Sequence, residues 1–383
     1  MIKTTGTAAT AAARGRGPLM SRPEHPVPLA VTTVLVLFVL LGLPQFMSLY
    51  YTGYMTLAAI YAIVSLGLAL LVGRVGLFSL GQAAVLQLGA WVGARLLFAT
   101  NQPFPVVLVE AGLVTMLIGT AIGLPALRMR GLYLALITLM LAGAITVVLA
   151  TVNFPNGGGG FTGYNGSTVH IPPIRRPSVA ASDGAYFRYT VLAAIIMFAL
   201  VIIHLRTRPG RAWAAIRQSE AAALAAGINT TFYKLWAFAL ASFITGVAGG
   251  LLAGEATYLY SINFTTQDSI TLLAVVLMGG VYNLWGAVIA ALLLELLPAF
   301  LQSLHVSYSW LTILFGLGIL LTLTTAPAGI ADQMRDLGRL IAGLVRGSAR
   351  STATSGTTAG DPSGTTPSDT SSDMSSATGG EAP

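Results

Sequence analysis

The sequence predicts an all-α, polytopic integral membrane protein of about ten transmembrane helices, with both termini cytoplasmic. Three observations predict it. Only 9% of the 383 residues are charged and 55% are hydrophobic, against roughly 25% charged in a soluble domain. The mean hydropathy is +0.78, and the apolar residues fall in windows of about 20, the length that crosses a hydrocarbon core as a helix. The basic residues lie almost wholly in the segments between those windows.

The windows are 27–46, 52–72, 77–98, 104–126, 131–152, 188–205, 235–253, 269–281, 286–303 and 309–325. The first follows a basic stretch, Lys3 to Arg22, and no small-residue cleavage site follows it. It therefore reads as a span and not as a removed signal. The eighth is short for a full crossing. A tilted or broken helix and a re-entrant pairing with the ninth both fit it. Ten crossings place both termini on one side. Of the 20 Lys and Arg residues, 16 then lie on that side and 4 on the other (Arg95, Arg175, Arg176 and Arg188). Basic loops mark the cytoplasm. The net charge of +7 is thus a statement of topology, and no nucleic-acid partner is read from it.

Residues 1–26 read as a disordered cytoplasmic N-terminus, 27–329 as the transmembrane domain and 330–383 as a cytoplasmic tail. From about 351 the tail is Ser, Thr, Gly, Pro and Asp, which cannot bury enough apolar surface to offset its ordering entropy. Ile330 to Val345 is mildly amphipathic and suits a membrane surface. Two long connections stand out: a Gly- and Pro-rich external loop, 153–188, and a basic cytoplasmic loop, 206–234. The 43 glycines suit close approach of helices in lipid.

Several chemistries are excluded. There is no cysteine, and the four histidines are scattered without ligand spacing. The only lysines, Lys3 and Lys234, sit in no phosphate-binding loop frame. No nucleophile elbow or zinc-protease motif occurs, and no metal or cofactor is expected in this chain.

The loop 206–234 is the one long polar insert between apolar spans. Arg208-Pro209-Gly210-Arg211 reads as a turn, and Ala212 to Ala226 as one alanine-rich helix, about 22 Å long. Gly227 stands where a glycine cap ends a helix. Trp213, Ile216 and Leu224 fall roughly on one side, while Ala222, Ala223 and Ala226 make a low-relief surface. An amphipathic interfacial helix and a docking element for another protein both fit this pattern.

The third window departs from uniform greasiness. Gly73, Gly76 and Gly81 bracket Ser79, Gln82 and Gln87. Such glycines let backbone leave the helix where it lines a cavity, and a helix N-terminus there would suit a solute carboxylate. A helix-packing face with Ser and Gln bonded to neighbours also fits. Glu110 and Glu295 lie within apolar windows, where a charge at mid-bilayer costs at least about 2.5–3.5 kcal/mol. Glu110 is near the external end. Glu295 is mid-span and joins Gly76, Ser79, Gly81, Gln82 and Gln87 as a candidate for a substrate path. Glu255 and Asp268 flank the next external loop, where solvation and contact with a partner both fit.

Ile216-Arg217-x-x-Glu220-x-Ala222-Ala223-x-x-x-Gly227-Ile228-Asn229 resembles the cytoplasmic loop of LivM-type permeases, the branched-chain amino acid permease subunits of ABC importers. Four further segments are similar to that family in the same order. Leu68 to Ala84 resembles its L-N-L-x-x-G-x-x-G-x-x-S-L-G-H-A-A segment, and Leu127 to Ala135 its L-R-L-R-G-x-Y-F-A segment. Asn156 to Gly163 resembles its external glycine-rich loop, and Ile270 to Pro298 its M-V-x-x-G-G-x-G-x-x-x-G-P segment. There are departures: Ala69 for the usual Asn, Gln82 for His, Gly143 for a frequent Glu, Tyr282-Asn283 for a smaller turn, and Thr325-Ala326-Pro327 without the usual Arg. They bear on the solute more than on the class.

The resemblance implies a non-enzymatic permease subunit of the bacterial plasma membrane. It implies a second homologous permease subunit, two P-loop ATPase subunits that use ATP and Mg, and an external solute-binding protein, for which loop 153–188 is a candidate contact, although a flexible connector fits that loop equally. It implies that the cytoplasmic loop docks on the ATPase, with Arg211, Arg217, Glu220, Ala222, Ala223 and Gly227 as the coupling residues. A permease for urea or short amides of the same architecture and an ATP-independent secondary transporter are the alternatives. A membrane-embedded enzyme finds no converging catalytic set.

Overall fold

Length and apolarity dictate the helices here, and small residues dictate how closely they pack. The computed structural model describes residues 48–127, 129, 131–152, 181–256 and 264–305, with scattered positions between 174 and 178, at 259, and between 310 and 333. The chain divides into Met1–Gln333 and Met334–Pro383, and every described residue belongs to the first unit. Residues 1–26, the first predicted span, the tail from 334 and the external loop up to residue 173 lie outside the described residues. Of the tenth predicted span only isolated helical positions are described.

Among the described residues the regular structure is helical, with no strand. In chain order the helices are α1 (Leu49–Ala69), α2 (Gln82–Ala99), α3 (Phe104–Ala126), α4 (Leu132–Val152) and α5 (Asp183–Arg206). Then come α6 (Arg208–Gln218), α7 (Glu220–Ala225), α8 (Thr230–Glu255), α9 (Thr266–Gly279) and α10 (Leu284–Ser303). Seven of them are long and apolar enough to cross a membrane, so the chain is an all-α polytopic membrane protein. α9 has only 14 residues, about 21 Å of helix. It is a separate helix that ends at Gly280 and packs against α10, as one of the readings of the eighth window allowed.

The third predicted window, 77–98, is helical only from Gln82. α1 runs on as a π-helical stretch, Leu70–Val75, which stops at Gly76 in the left-handed conformation, φ 82°. That backbone region costs an ordinary residue about 1–2 kcal/mol and a glycine nothing. Residues 77–81 then carry the chain as non-helical backbone to the start of α2. The sixth span begins earlier than its apolar window: Ser182 Oγ accepts from the Ala185 N–H at 3.3 Å, so the helix starts at Asp183 and includes Arg188.

α8 is the central element. It packs on α1, α2 and α3, and its middle is buried from Ala237 to Ser242 and again from Ile244 to Gly254. The α2–α8 crossing is closed by glycines on both sides. A Cβ on Gly89 would lie 2.6 Å from the Gly246 carbonyl oxygen, and one on Gly93 would lie 2.8 Å from the Gly250 Cα. Backbones this close gain dispersion contact that lipid cannot supply. α4, α5 and α10 lie outside this centre, and with the outer face of α3 they leave large apolar side chains exposed, among them Leu117, Met140, Ile196 and Phe300.

The helix ends fall into two sets. One end gathers the π-stretch, the α3–α4 turn, α6 and α7, the start of α8 and the α9–α10 turn, with Arg74, Arg217 and Lys234 among them; it is called the basic end below. The other end has Phe104 against Tyr186 and Tyr189, and the Tyr186 hydroxyl donates to the Leu251 carbonyl.

Candidate functional site

The insert at the basic end is not one helix. α6 starts at Arg208, with Pro209 in its first turn, where a missing N–H costs nothing. The expected turn at 208–211 is therefore already helical. Gln218 ends α6, Ser219 is extended, and its hydroxyl accepts from the Ala222 N–H at 3.3 Å to open α7. Ser219 followed by Glu220 is an N-cap signal that the alanine-rich pattern obscured. Gly227, φ 78°, ends α7 as expected: its N–H reaches the Leu224 carbonyl and the Ile228 N–H reaches that of Ala223.

The break at Ser219 redistributes the faces. Trp213 and Ile216 are buried, but Leu224 is 54% exposed, so these three do not share a side. Ala223 is buried, whereas Ala222 and Ala226 are exposed; the low-relief outer surface thus lacks Ala223. Arg211 is exposed on α6.

Three polar ties hold the insert to the spans. Trp213 Nε1 donates to the Tyr233 carbonyl at 2.8 Å. Glu220 pairs with Lys234 Nζ at 2.7 Å. Arg217 donates from its guanidinium to the Gly73 carbonyl in the π-stretch and lies over the Tyr282 ring at 4.4 Å. A cation over an aromatic face is attracted by the ring quadrupole. The insert is thereby fixed to the π-stretch that continues α1, to α8 and to the α9–α10 turn. Lys234, Gly73 and Tyr282 were not among the candidate residues, because their roles depend on which helix ends meet.

The polar cluster lies deeper. Ser79, Gln82 and Gln87 are all buried. The Thr245 hydroxyl donates to Gln82 Oε1 at 3.2 Å, the Thr146 hydroxyl donates to Gln87 Oε1 at 3.2 Å, and the Leu80 N–H donates to the Thr138 hydroxyl at 2.9 Å. Ser79, Gly81, Gln82, Thr138 and Ser242 share a small cavity of about 20 Å³ with apolar neighbours such as Ile145 and Phe238, room for about one water. Gly76 lies on the other side of the 77–81 segment, in a second cavity of about 200 Å³ at the basic end. Gln87 lines neither cavity, and Glu295 is not brought to either. It is half-buried on α10, which packs chiefly on α1 and α9. Thr138, Thr146 and Thr245 were missed by sequence reading; the available signal was a hydroxyl in an otherwise apolar window.

The remaining acidic residues have local roles. Glu110 accepts from the Gln102 side-chain amide at 3.0 and 3.3 Å, near the start of α3. Asp268 completes a capping box with Thr265 at the start of α9. Among the described residues no group of His, Cys, Asp or Glu is placed to hold a metal ion.

A helical bundle of membrane length, with a neutral polar interior and a basic two-helix insert tied to several spans, is the frame of a polytopic transport protein. The chain belongs to the family of branched-chain amino acid transport system permease components, whose pattern matches residues 50–323. Members are transport proteins of the membrane, not enzymes. The chain is 31% identical to the high-affinity branched-chain amino acid transport system permease protein LivM of Salmonella typhimurium over 314 residues, 75% of this chain and 71% of the relative. It is 30% identical to LivM of Escherichia coli over 306 residues, 73% of this chain and 69% of the relative. The chain is thus a LivM-type permease. No solved structure matches it.

Proposed function

We propose that this chain is the transmembrane permease subunit of an ATP-driven importer for branched-chain or related amino acids in a bacterial plasma membrane. It works with a second homologous permease subunit, two P-loop ATPase subunits and an external solute-binding protein, and the basic end faces the cytoplasm. The observation that carries this reading is the family match over 50–323 together with similarity to two LivM proteins.

On this reading α6 and α7 dock on an ATPase, and the exposed residues Arg211, Ala222 and Gly227 lie at that contact. Arg217, which is also exposed, and half-buried Glu220 are at the same time engaged with the spans. Buried Ala223 shapes the element from within. Closure of the ATPases shifts α6 and α7, and their ties to Gly73, Lys234 and Tyr282 carry the shift to three span ends, biasing the bundle between inward and outward states. ATP and Mg belong to the ATPase subunits. The Ser79–Gln82–Gln87 cluster lines the substrate path: its hydroxyls and amides offer neutral hydrogen bonds to a zwitterion, and its walls are apolar.

The test is purification of the tagged chain from its native membrane in mild detergent, with co-purifying proteins identified by mass spectrometry and labelled leucine uptake measured in parallel. A second permease, two P-loop ATPases and leucine uptake are expected. Ala222→Trp, which enlarges an exposed position, is expected to abolish ATP-dependent uptake while the chain remains in the membrane. Recovery of the chain alone with intact ATP-independent uptake would overturn the reading, and uptake of urea or a short amide without leucine would replace the solute.

A further inference from the structure

The cavity at the basic end is larger than the one in the bundle interior and chemically different. Its volume is about 200 Å³; a cavity of about 150 Å³ already takes a benzene. Its apolar wall includes Leu77, Phe78, Leu134 and Ile216, and its polar groups are Arg217, Lys234 and Glu220. Lys234 and Glu220 neutralise one another. Arg217 pairs with no carboxylate among the described residues. Its guanidinium has five N–H donors, and the Gly73 carbonyl is its hydrogen-bond acceptor. Among the described lining residues Arg217 is therefore the one positively charged group without a carboxylate partner. A guanidinium that lines a cavity and pairs with no carboxylate there favours a carboxylate ligand.

We propose that this cavity is a second amino-acid station, which holds a free α-amino acid with an apolar side chain at the cytoplasmic end of the path. The carboxylate lies against Arg217, the ammonium group turns to Glu220, and the side chain packs on Leu77, Leu134 and Ile216. The proposal rests on the import reading for its solute class and for the cytoplasmic side, and on this cavity alone for its place in the fold. Gly76 and the 77–81 segment separate the station from the small interior cavity, so a solute released from the interior cluster would meet Arg217 before the cytoplasm. A high internal amino-acid concentration would fill the same station from the cytoplasmic side.

The experiment is equilibrium dialysis of labelled leucine against the detergent-purified complex, with no solute-binding protein present. Wild type, Arg217→Gln and Met129→Trp are compared. Met129 lines the cavity and is exposed at its rim, so the larger ring obstructs the site without entering the packed bundle. Saturable binding is expected, weakened about tenfold or more by Arg217→Gln, the loss that follows deletion of a charge-assisted hydrogen bond, and weakened also by Met129→Trp. 4-Methylpentanoate, which lacks the ammonium group, should compete less well than leucine. Both variants are checked for an unchanged elution profile and subunit content. Absence of saturable binding, or binding that survives Met129→Trp, overturns the station. Failure of the wild-type complex to import leucine at all would instead overturn the import reading.

Discussion

The α2–α8 crossing and the α6–α7 insert hold together by opposite means. At the crossing, glycines on both helices bring backbone against backbone, and the Thr245–Gln82 hydrogen bond is a side-chain tie between them. The insert has little apolar surface to bury beyond Trp213 and Ile216, and it is held by a salt bridge, an indole hydrogen bond and an arginine that reaches two spans. Many small dispersion contacts tolerate no change of shape. A few directional ties can be broken one at a time and re-formed. The first kind of packing makes a fixed axis, and the second suits an element that transmits movement.

Substitutions should expose this difference. The largest effect is expected at the crossing. Gly89→Leu puts a side chain where the Gly246 carbonyl already sits, and overpacking costs about 1–3 kcal/mol or more. The yield of monodisperse protein after detergent extraction should collapse; a normal yield would mean that α2 and α8 can separate. Next comes Gly227→Val. Its φ of 78° costs a non-glycine residue about 1–2 kcal/mol, and open space around the site rules out a clash. Protein should be recovered, with uptake strongly reduced and α7 cleaved faster by limited proteolysis.

The Glu220–Lys234 pair should show a smaller effect. Glu220→Gln or Lys234→Met alone should cost about 1–2 kcal/mol, between an exposed and a fully buried pair. The reversed pair, Glu220→Lys with Lys234→Glu, should regain part of the loss in a thermal-unfolding assay. No recovery would mean that each residue acts separately. Smallest is Thr146→Val, which removes the hydroxyl bonded to Gln87 and should cost about 0.5–1.5 kcal/mol. If Gln87 lines the substrate path, this change should shift KM for leucine more than it shifts stability; an unchanged KM would leave Gln87 a packing residue.

Much of the fold was legible in the sequence because a bilayer asks for one thing, a long run of apolar residues. Each predicted window from 52–72 to 286–303 contains a helix, and Gly227 is the cap that its position implied. The insert was less legible. Its alanines favour helix so evenly that Ser219 looked like part of the run, whereas its hydroxyl opens a new helix and turns Leu224 outward. Of the candidate path residues, Ser79, Gly81 and Gln82 share a cavity, while Gly76 lines a different one and Gln87 and Glu295 line neither.

Composition and periodicity by themselves determined the membrane class, the helical spans and the place of the basic insert, because those follow from local hydropathy and from backbone hydrogen bonds made within each helix. The tertiary structure alone decided that Glu220 meets Lys234, that Arg217 reaches Gly73 and Tyr282, and that Thr245 and Thr146 satisfy two buried glutamines. Those partners are distant along the chain except for the first, and each depends on helix rotation and on which ends meet. A hydropathy pattern carries neither, since lipid and a neighbouring helix are equally apolar to it.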